Sequence, residues 1–460
     1  MTLWHGRFAD GPADELLAFT ASLPYDRRLA PYDIAGSRAH VRGLKRTGIL
    51  SPEDTATILA GLDRVEEELT SGTFVFQPGD EDVHTAIERR LTEITGAAGA
   101  RLHTGRSRND QIATDLRLWC KDRIGAVCSA VIAFQDVLVD RATDVSDAYL
   151  PGYTHMQRAQ PVLLAHHILA HAWALSRDID RLLSTHRRLD VSPLGAGALA
   201  GSSLPLDPDA VASDLGFNDR FENSLDAVSD RDFVAEVLFD LALLGTHLSR
   251  IGEEVMIWTT EEFGFMKLSD AWSTGSSMLP QKKNPDIAEL ARAKSGRLIG
   301  HVAGVLALLK GLPLSYNRDL QEDKEPLFDA VDQVMLTLPA LSGLFATATF
   351  DLHRMQEAAD TPATAAVDLA EYLVAEGMPF REAHVLVGSL VRDSIERHVP
   401  LAELVEAHPA LGSPALGLLE AGVAVARRTT PGGGGPKAVA EQLGRFRQRL
   451  EVDRDRVAAL

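Results

Sequence analysis

Apolar residues recur with a helical period along most of the chain. Between residues 110 and 145 no proline occurs, and Ile112, Leu116, Ile124, Val127, Val131, Phe134, Leu138 and Ala142 fall on one face. That spacing predicts one continuous helix, roughly 50 Å long if unbroken. Similar patterns predict helices from Pro161 to about Leu189, from Asp232 to about Trp258, and from Pro285 to about Lys310. The run from Val237 to Leu244 is apolar on more than one side. A helix of that kind is buried inside a bundle or between subunits. Long helices in series predict an extended antiparallel bundle whose broad apolar faces are completed by self-association.

The flanks read differently. Residues 1–109 pattern as short helices broken by Pro24, Pro31, Pro52 and Pro78. Residues 110–360 hold the long helices. Residues 361–460 return to short segments, separated by Pro379, by His408 and Pro409, and by the run Pro431 to Pro436. Its four glycines, Gly432 to Gly435, read as a plain flexible loop or tight turn.

Composition supports helix over sheet, since only 6% of residues are aromatic while Ala and Leu abound. With 46 basic and 65 acidic residues the chain carries a net charge of −19. Such a surface repels phosphate backbones, so nucleic acid is not an expected partner. An anionic substrate would need cations gathered locally. Cys120 and Cys128 lie eight positions apart on one predicted helix, a rise of roughly 12 Å and too far for a disulfide. No four-ligand zinc pattern occurs. The opening residues lack the apolar core of a signal peptide. Apolar stretches such as Val302 to Leu309 are short of a membrane span. The expected setting is the cytoplasm, away from membranes.

Four polar islands interrupt the helices. His103 to Asp110 precedes the longest helix, with Asn109 or Asp110 able to cap it, and with Arg106 and Arg108 beside its free N–H groups. Helix N–H groups plus guanidinium make a carboxylate site. Gly152 to Pro161 carries His155, which titrates near neutral pH, flanked by Thr154 and Gln157. Ser273 to Asp286 places Ser276, Ser277, Lys282 and Lys283 on a Gly- and Pro-bearing loop, with Asn284 positioned as an N-cap. A lysine near a serine hydroxyl favours its alkoxide, so the serine could act as a base. Leu314 to Glu325 holds Tyr316, Gln321 and Lys324. Each island has a bland alternative as an ordinary cap, turn or solvated loop.

Taken together the islands resemble a known family. Gly275 to Pro285 (GSSMLPQKKNP) is similar to the signature loop of the fumarase/aspartase lyase superfamily, and the form Pro280 to Asp286 resembles its argininosuccinate lyase branch, which includes the δ-crystallins of lens. Trp4 to Phe8, Ala21 to Asp26, Asp82 to Glu88, His103 to Asp110, Tyr153 to Pro161, Pro193 to Ala198 and Tyr316 to Glu325 follow in the family's order. His5, where glycine is frequent, and the glycine run near the C-terminus depart from it.

The resemblance implies an all-α fold of three mostly helical domains, a homotetramer with a core of about twenty helices, and active sites each built from three subunits. It implies β-elimination of argininosuccinate to arginine and fumarate with no cofactor and no metal. It makes Ser276 the base, His155 the acid side paired with Glu289, and Lys282 the stabiliser of a carbanion-like intermediate. It assigns substrate contacts to Ser22, Arg108, Asn109, Thr154, Asn284, Tyr316, Gln321 and Lys324. The alternatives are a lyase of the same superfamily acting on another amino-succinate, and a non-catalytic crystallin-like protein.

Overall fold

The computed structural model describes residues 13–460. The opening motif from Trp4 to Phe8, with His5, lies outside the described residues. After two short helices, Asp14–Thr20 and Leu23–Asp26, the N-terminal segment forms α1 (Ala30–Arg46), α2 (Pro52–Thr70) and α3 (Val83–Thr95). Pro24, Pro31 and Pro52 start helices here rather than breaking them, while Pro78 lies in the turn before α3. Pro31 lies in the first turn of α1, and Pro52 opens α2 behind Ser51, whose side chain accepts Asp54 N–H. Proline lacks an N–H and has a helical φ, so the first turn is where it fits. Beside the two short helices, α1, α2 and α3 are accordingly 17, 19 and 13 residues long, longer than the sequence pattern implied.

Five long helices form the centre: α4 (Arg108–Asp144), α5 (Leu164–Leu189), α6 (Asp232–Trp258), α7 (Asp286–Leu309) and α8 (Lys324–Thr347). Of the eight apolar positions predicted to face inward from α4, all but Ile112 are buried. Side-chain pairs fix the helix directions. Arg117 reaches Leu189 O and Gln135 reaches Ala172 O, so α4 and α5 are antiparallel. Thr185 meets Asp240, and His247 meets Asp178, so α5 and α6 are antiparallel. Gly252 lies against Ala288 and Gly245 against Leu298, close approaches that a Cβ would block, so α6 and α7 are antiparallel and tightly packed. Arg297 pairs with Asp329 and Lys294 with Gln333 between α7 and α8. Trp119 stacks edge-on to Phe328 and Phe134 to Phe345, which makes α8 run parallel to α4.

The helix α8 was not foreseen as a long element. Together with the turn before it, Arg318–Thr347 is long and apolar enough to cross a membrane, with a mean hydropathy of 1.2 over its best window. Its apolar face is instead spent on the bundle, where Leu327, Phe328, Val331, Val334, Leu338, Leu341 and Leu344 are buried. Pro339 sits within it. Phe239 on α6, Leu290, Ile299 and Leu306 on α7 and Leu336 on α8 stay more than half exposed in the single chain. Cys120 and Cys128 are both free thiols, buried in the core.

A hairpin of β1 (Tyr149–Thr154) and β2 (Gln157–Leu163) separates α4 from α5. The expected helix start at Pro161 therefore moves to Leu164. Beyond residue 361, α9 (Ala366–Ala375), α10 (Phe380–Arg397) and α11 (Leu401–Ala407) share a small core of their own around Leu369, Leu373, Val387 and Val405. The last helix, α12 (Pro436–Ala458), is long and returns to the bundle. Phe446 packs on Trp173, while Arg449 and Arg456 both pair with Asp180. The glycine run before it is packed rather than loose. Gly434 O accepts Leu163 N–H, and a Cβ on Gly434 would lie 2.7 Å from Val162 Cγ1.

Candidate active site

The register of the bundle sorts the assigned residues onto two ends. Arg108 and Asn109 start α4, and Tyr316, Gln321 and Lys324 precede or start α8, so these five share one end. Ser22 joins them, because Arg318 and Gln321 both donate to Thr20 O, at 2.8 and 3.0 Å. The hairpin with Thr154 and His155 lies at the other end, beyond the C-terminus of α4. The loop carrying Ser276, Lys282 and Asn284 lies there too, with Glu289 in the first turn of α7. The 24 residues of α7 separate the two groups, which is about 36 Å. A single chain thus holds the four islands as two pairs at opposite ends of the bundle.

The first end is a dense polar region. The cap of α4 is Ser107, not Asn109 or Asp110; its hydroxyl accepts Asn109 N–H at 3.2 Å. Asp110 completes a capping box by accepting Ser107 N–H at 2.9 Å, and its other oxygen accepts Gly195 and Gly197 N–H at 3.0 and 2.9 Å. Asn109 donates to Ala198 O at 3.0 Å. These bonds clamp the Pro193 to Ala198 motif onto the start of α4. The Arg108 guanidinium meets Gln111 Oε1 at 2.6 Å and Asp82 at 3.4 Å. Burial opposes ionisation of Asp82, but Arg108 and His84 outweigh it and hold the carboxyl below the usual range.

Ser22 is buried and donates to Asp26 Oδ2 at 2.5 Å, while Asp26 Oδ1 accepts Val83 N–H at 3.1 Å. Lys324 is also buried, its ammonium 3.0 Å from Asp323. Asp323 in turn accepts Arg231 Nε at 2.6 Å in a fully buried pair. Burial pushes the Tyr316 phenol up. Arg318 was not singled out from the sequence. It pairs with Glu81 at 2.5 Å and ties this segment to the N-terminal helices. Its position inside the fourth island was the only available signal.

Beneath lies a sealed cluster in which His84 Nδ1 is 3.1 Å from Asp33 and 3.3 Å from Asp115. Burial disfavours the imidazolium, yet Asp33 and its neighbours raise the His84 pKa to about 9. Burial, and then the charge on Asp33, push Asp115 well up. The three side chains form a buried salt-bridged core beneath the polar end of the bundle.

At the second end, His155 and Met156 form the two-residue turn of the hairpin, both with positive φ, 54° and 58°. Type I′ turns need this at both positions and normally use Asn or Gly. Left-handed backbone costs an ordinary residue roughly 1–2 kcal/mol, so an imidazole is held here against preference. Both residues are exposed. Ser276 Oγ accepts Met278 N–H at 3.2 Å and Leu279 N–H at 2.9 Å. Two amides aimed at one hydroxyl oxygen favour its anionic form. Lys283, not Lys282, is tied down: its ammonium contacts Leu268 O and Asp270 Oδ1, both at 2.7 Å. Lys282 is exposed, as are Met278 and Leu279.

Asn284 is not the cap of α7. It sits in a two-residue strand paired with Thr274–Gly275, and its amide donates to Gly275 O at 3.3 Å. The cap position falls to Pro285. The loop is therefore a short antiparallel pinch with Ser276 just beyond its base.

Comparisons with known proteins agree with this architecture. The sequence family described as Lyase matches residues 6–300, and the family described as Argininosuccinate lyase C-terminal matches residues 363–417. Argininosuccinate lyase of Mycolicibacterium paratuberculosis is 52% identical, with 98% of each chain covered. Among solved structures, EDDS lyase in complex with formate superposes with a TM-score of 0.84 at 30% identity, covering 98% of this chain and 92% of its own. A variant of EDDS lyase with bound fumarate gives a TM-score of 0.83 at 29% identity, covering 98% and 92%. A match of this extent, carried through the central bundle and into the C-terminal helices, places the chain in the argininosuccinate lyase family of the fumarase/aspartase superfamily.

Proposed function

We propose that the chain splits argininosuccinate into arginine and fumarate, with the Ser276 alkoxide as base. The observation that carries the reaction is the near-full-length match to relatives of that name. The two amides facing Ser276 Oγ support the base assignment. Ser276 takes a proton from the succinyl carbon next to a carboxylate. The electron pair left behind spreads into that carboxylate, where Lys282 stabilises the added charge. The bond between the neighbouring carbon and the guanidine nitrogen then breaks, the pair returns as the fumarate double bond, and the nitrogen takes up a proton. His155, oriented by Glu289, serves that acid side.

In this reading Arg108, Asn109, Ser22, Tyr316, Gln321 and Lys324 hold the substrate from one bundle end, and Thr154 and Asn284 from the other. One chain cannot supply both ends to one ligand. The proposal therefore includes a homotetramer whose helical cores lie antiparallel, so that each site draws on several subunits. The exposed apolar residues of α6, α7 and α8 suit such burial. It further divides the chain into 1–109, 110–360 and 361–460 and places it in the cytoplasm.

Fumarate release followed by ultraviolet absorbance tests the reaction. Argininosuccinate should be turned over and adenylosuccinate should not. The reverse outcome would move the substrate to another amino-succinate, and no turnover of either would leave a crystallin-like role.

A further inference from the structure

Away from the residues used above, His167 and His171 stand one turn apart on α5 and point at the same atom. Each Nε2 lies 2.7 Å from Glu254 Oε2 on α6. The three donor atoms lie within 4.8 Å of one another. None is sealed off: the side chains are 26%, 16% and 36% exposed. We propose that His167, His171 and Glu254 form a binding site for a divalent transition-metal ion of the zinc class, bridging α5 and α6, with a fourth position open to water.

The chemistry fits that ion class. Two imidazoles and one carboxylate suit zinc, cobalt or nickel, whereas magnesium and calcium take all-oxygen sets. Histidines four apart on a helix share a face, so both nitrogens reach one ion without backbone change. Tetrahedral zinc at its usual bond lengths spaces its ligand atoms about 3.3 Å apart. The two gaps to Glu254 need to open only slightly, and a glutamate side chain has the torsions to allow it. A neutral imidazole ligates through Nε2 when its proton sits on Nδ1, so binding asks that any proton on the two Nε2 atoms be moved or released.

The position gives the site a readout. His167 lies against Trp258, ring centroids 4.9 Å apart. Two residues before Glu254, Gly252 abuts Ala288 at the start of α7, so the ion would brace the helix that follows the Ser276 loop. A group that binds only the folded chain raises its stability.

The test uses the full-length chain stripped with a chelator and titrated with Zn²⁺ by calorimetry and with Co²⁺ by visible absorption and tryptophan fluorescence. One ion per chain should bind, Co²⁺ should develop tetrahedral d–d bands and quench Trp258, and Zn²⁺ should raise the melting temperature. Removing even a group that supports a ligand weakens metal binding about 10–100-fold, so His171→Ala and Glu254→Gln should each cost at least that. His166→Ala, whose ring faces Gln442, should leave affinity unchanged. Glu254→Gln keeps the shape of the side chain and decides the matter if His171→Ala fails to fold. Trp258→Phe should abolish most of the quenching. Equal binding by wild type and Glu254→Gln, or absence of tetrahedral Co²⁺ bands, overturns the site and leaves a hydrogen-bonded cluster.

Discussion

Ser276 Oγ accepts the backbone N–H of Leu279 at 2.9 Å, so the oxygen that would take a proton from substrate is already facing a fixed dipole. The bond is local and needs no neighbour. His155, the acid in the proposed reaction, sits on a separate hairpin, and the residues proposed to hold substrate sit at the opposite end of the bundle. The amides facing the proposed base are thus supplied within one chain, while the residues proposed for the rest of the site lie at two separate ends of it.

Ser276→Ala should lower kcat by about a thousandfold or more, the upper range for loss of a positioned base. Argininosuccinate affinity and the assembly state should stay close to wild type. Steady-state fumarate release, with equilibrium binding alongside, checks this; near-normal turnover would show that another group is the base.

Mixing two inactive variants should restore activity. Ser276→Ala disables one bundle end and Lys324→Met the other. If sites combine ends from different chains, mixed assemblies contain some sites with both ends intact. Unfolding and refolding the two together should yield turnover that neither has alone. Failure to do so, with mixed assemblies confirmed by mass spectrometry, would argue for sites built within one chain.

Gly434→Ala should loosen the hairpin. The added Cβ would meet Val162 Cγ1 at 2.7 Å and Val162 Cβ at 2.9 Å. Overpacking of this kind costs about 1–3 kcal/mol. Because β2 leads directly from the His155 turn, turnover should fall along with the melting temperature. A variant as stable and active as wild type would show that the contact relaxes freely.

Asp323→Ala should destabilise the fold strongly. It leaves Arg231 buried without its 2.6 Å partner and removes the carboxylate beside Lys324. Breaking a buried pair from one side costs about 3–5 kcal/mol. Chemical denaturation of the variant measures the loss. Arg231→Met with Asp323→Leu should recover part of it, since both charges are then gone.

His84 makes stability depend on pH on the alkaline side. Its pKa is raised from 6.5 to about 9 in the folded chain, so the native state holds a proton that the unfolded state releases. The contribution is complete below about pH 6.5 and is lost as pH rises through 9. The melting temperature should therefore decline between those values, and His84→Gln should flatten that part of the profile. A slope unchanged by the substitution would assign it to other groups.

Much of the fold was readable because helical periodicity is local. The helix predicted from Asp232 to Trp258 has those very bounds, and α4 differs by two residues at its start. The misreadings have physical causes. The hairpin was missed because its turn, Thr154 to Gln157, lacks the Asn or Gly that left-handed positions prefer. The prolines at 31 and 52 read as breaks because a proline that starts a helix looks the same in sequence as one that ends it. The cap of α4 is Ser107 because capping depends on which oxygen the backbone turns toward N2 and N3. Arg318 and the His84 cluster stayed invisible because their partners, Glu81, Asp33 and Asp115, are distant in sequence.

By itself the sequence determined four of the five long central helices, the all-helical class, the four polar islands and the kinship that links them, because periodicity, turn residues and motif order are properties of neighbouring positions. Only the tertiary structure decided which islands share a bundle end, that Lys283 rather than Lys282 is tied down, that the glycine run packs on β2, and that two histidines and a glutamate converge between α5 and α6. Those outcomes depend on helix direction and register, which are set by packing between segments many residues apart and leave no mark in any one of them.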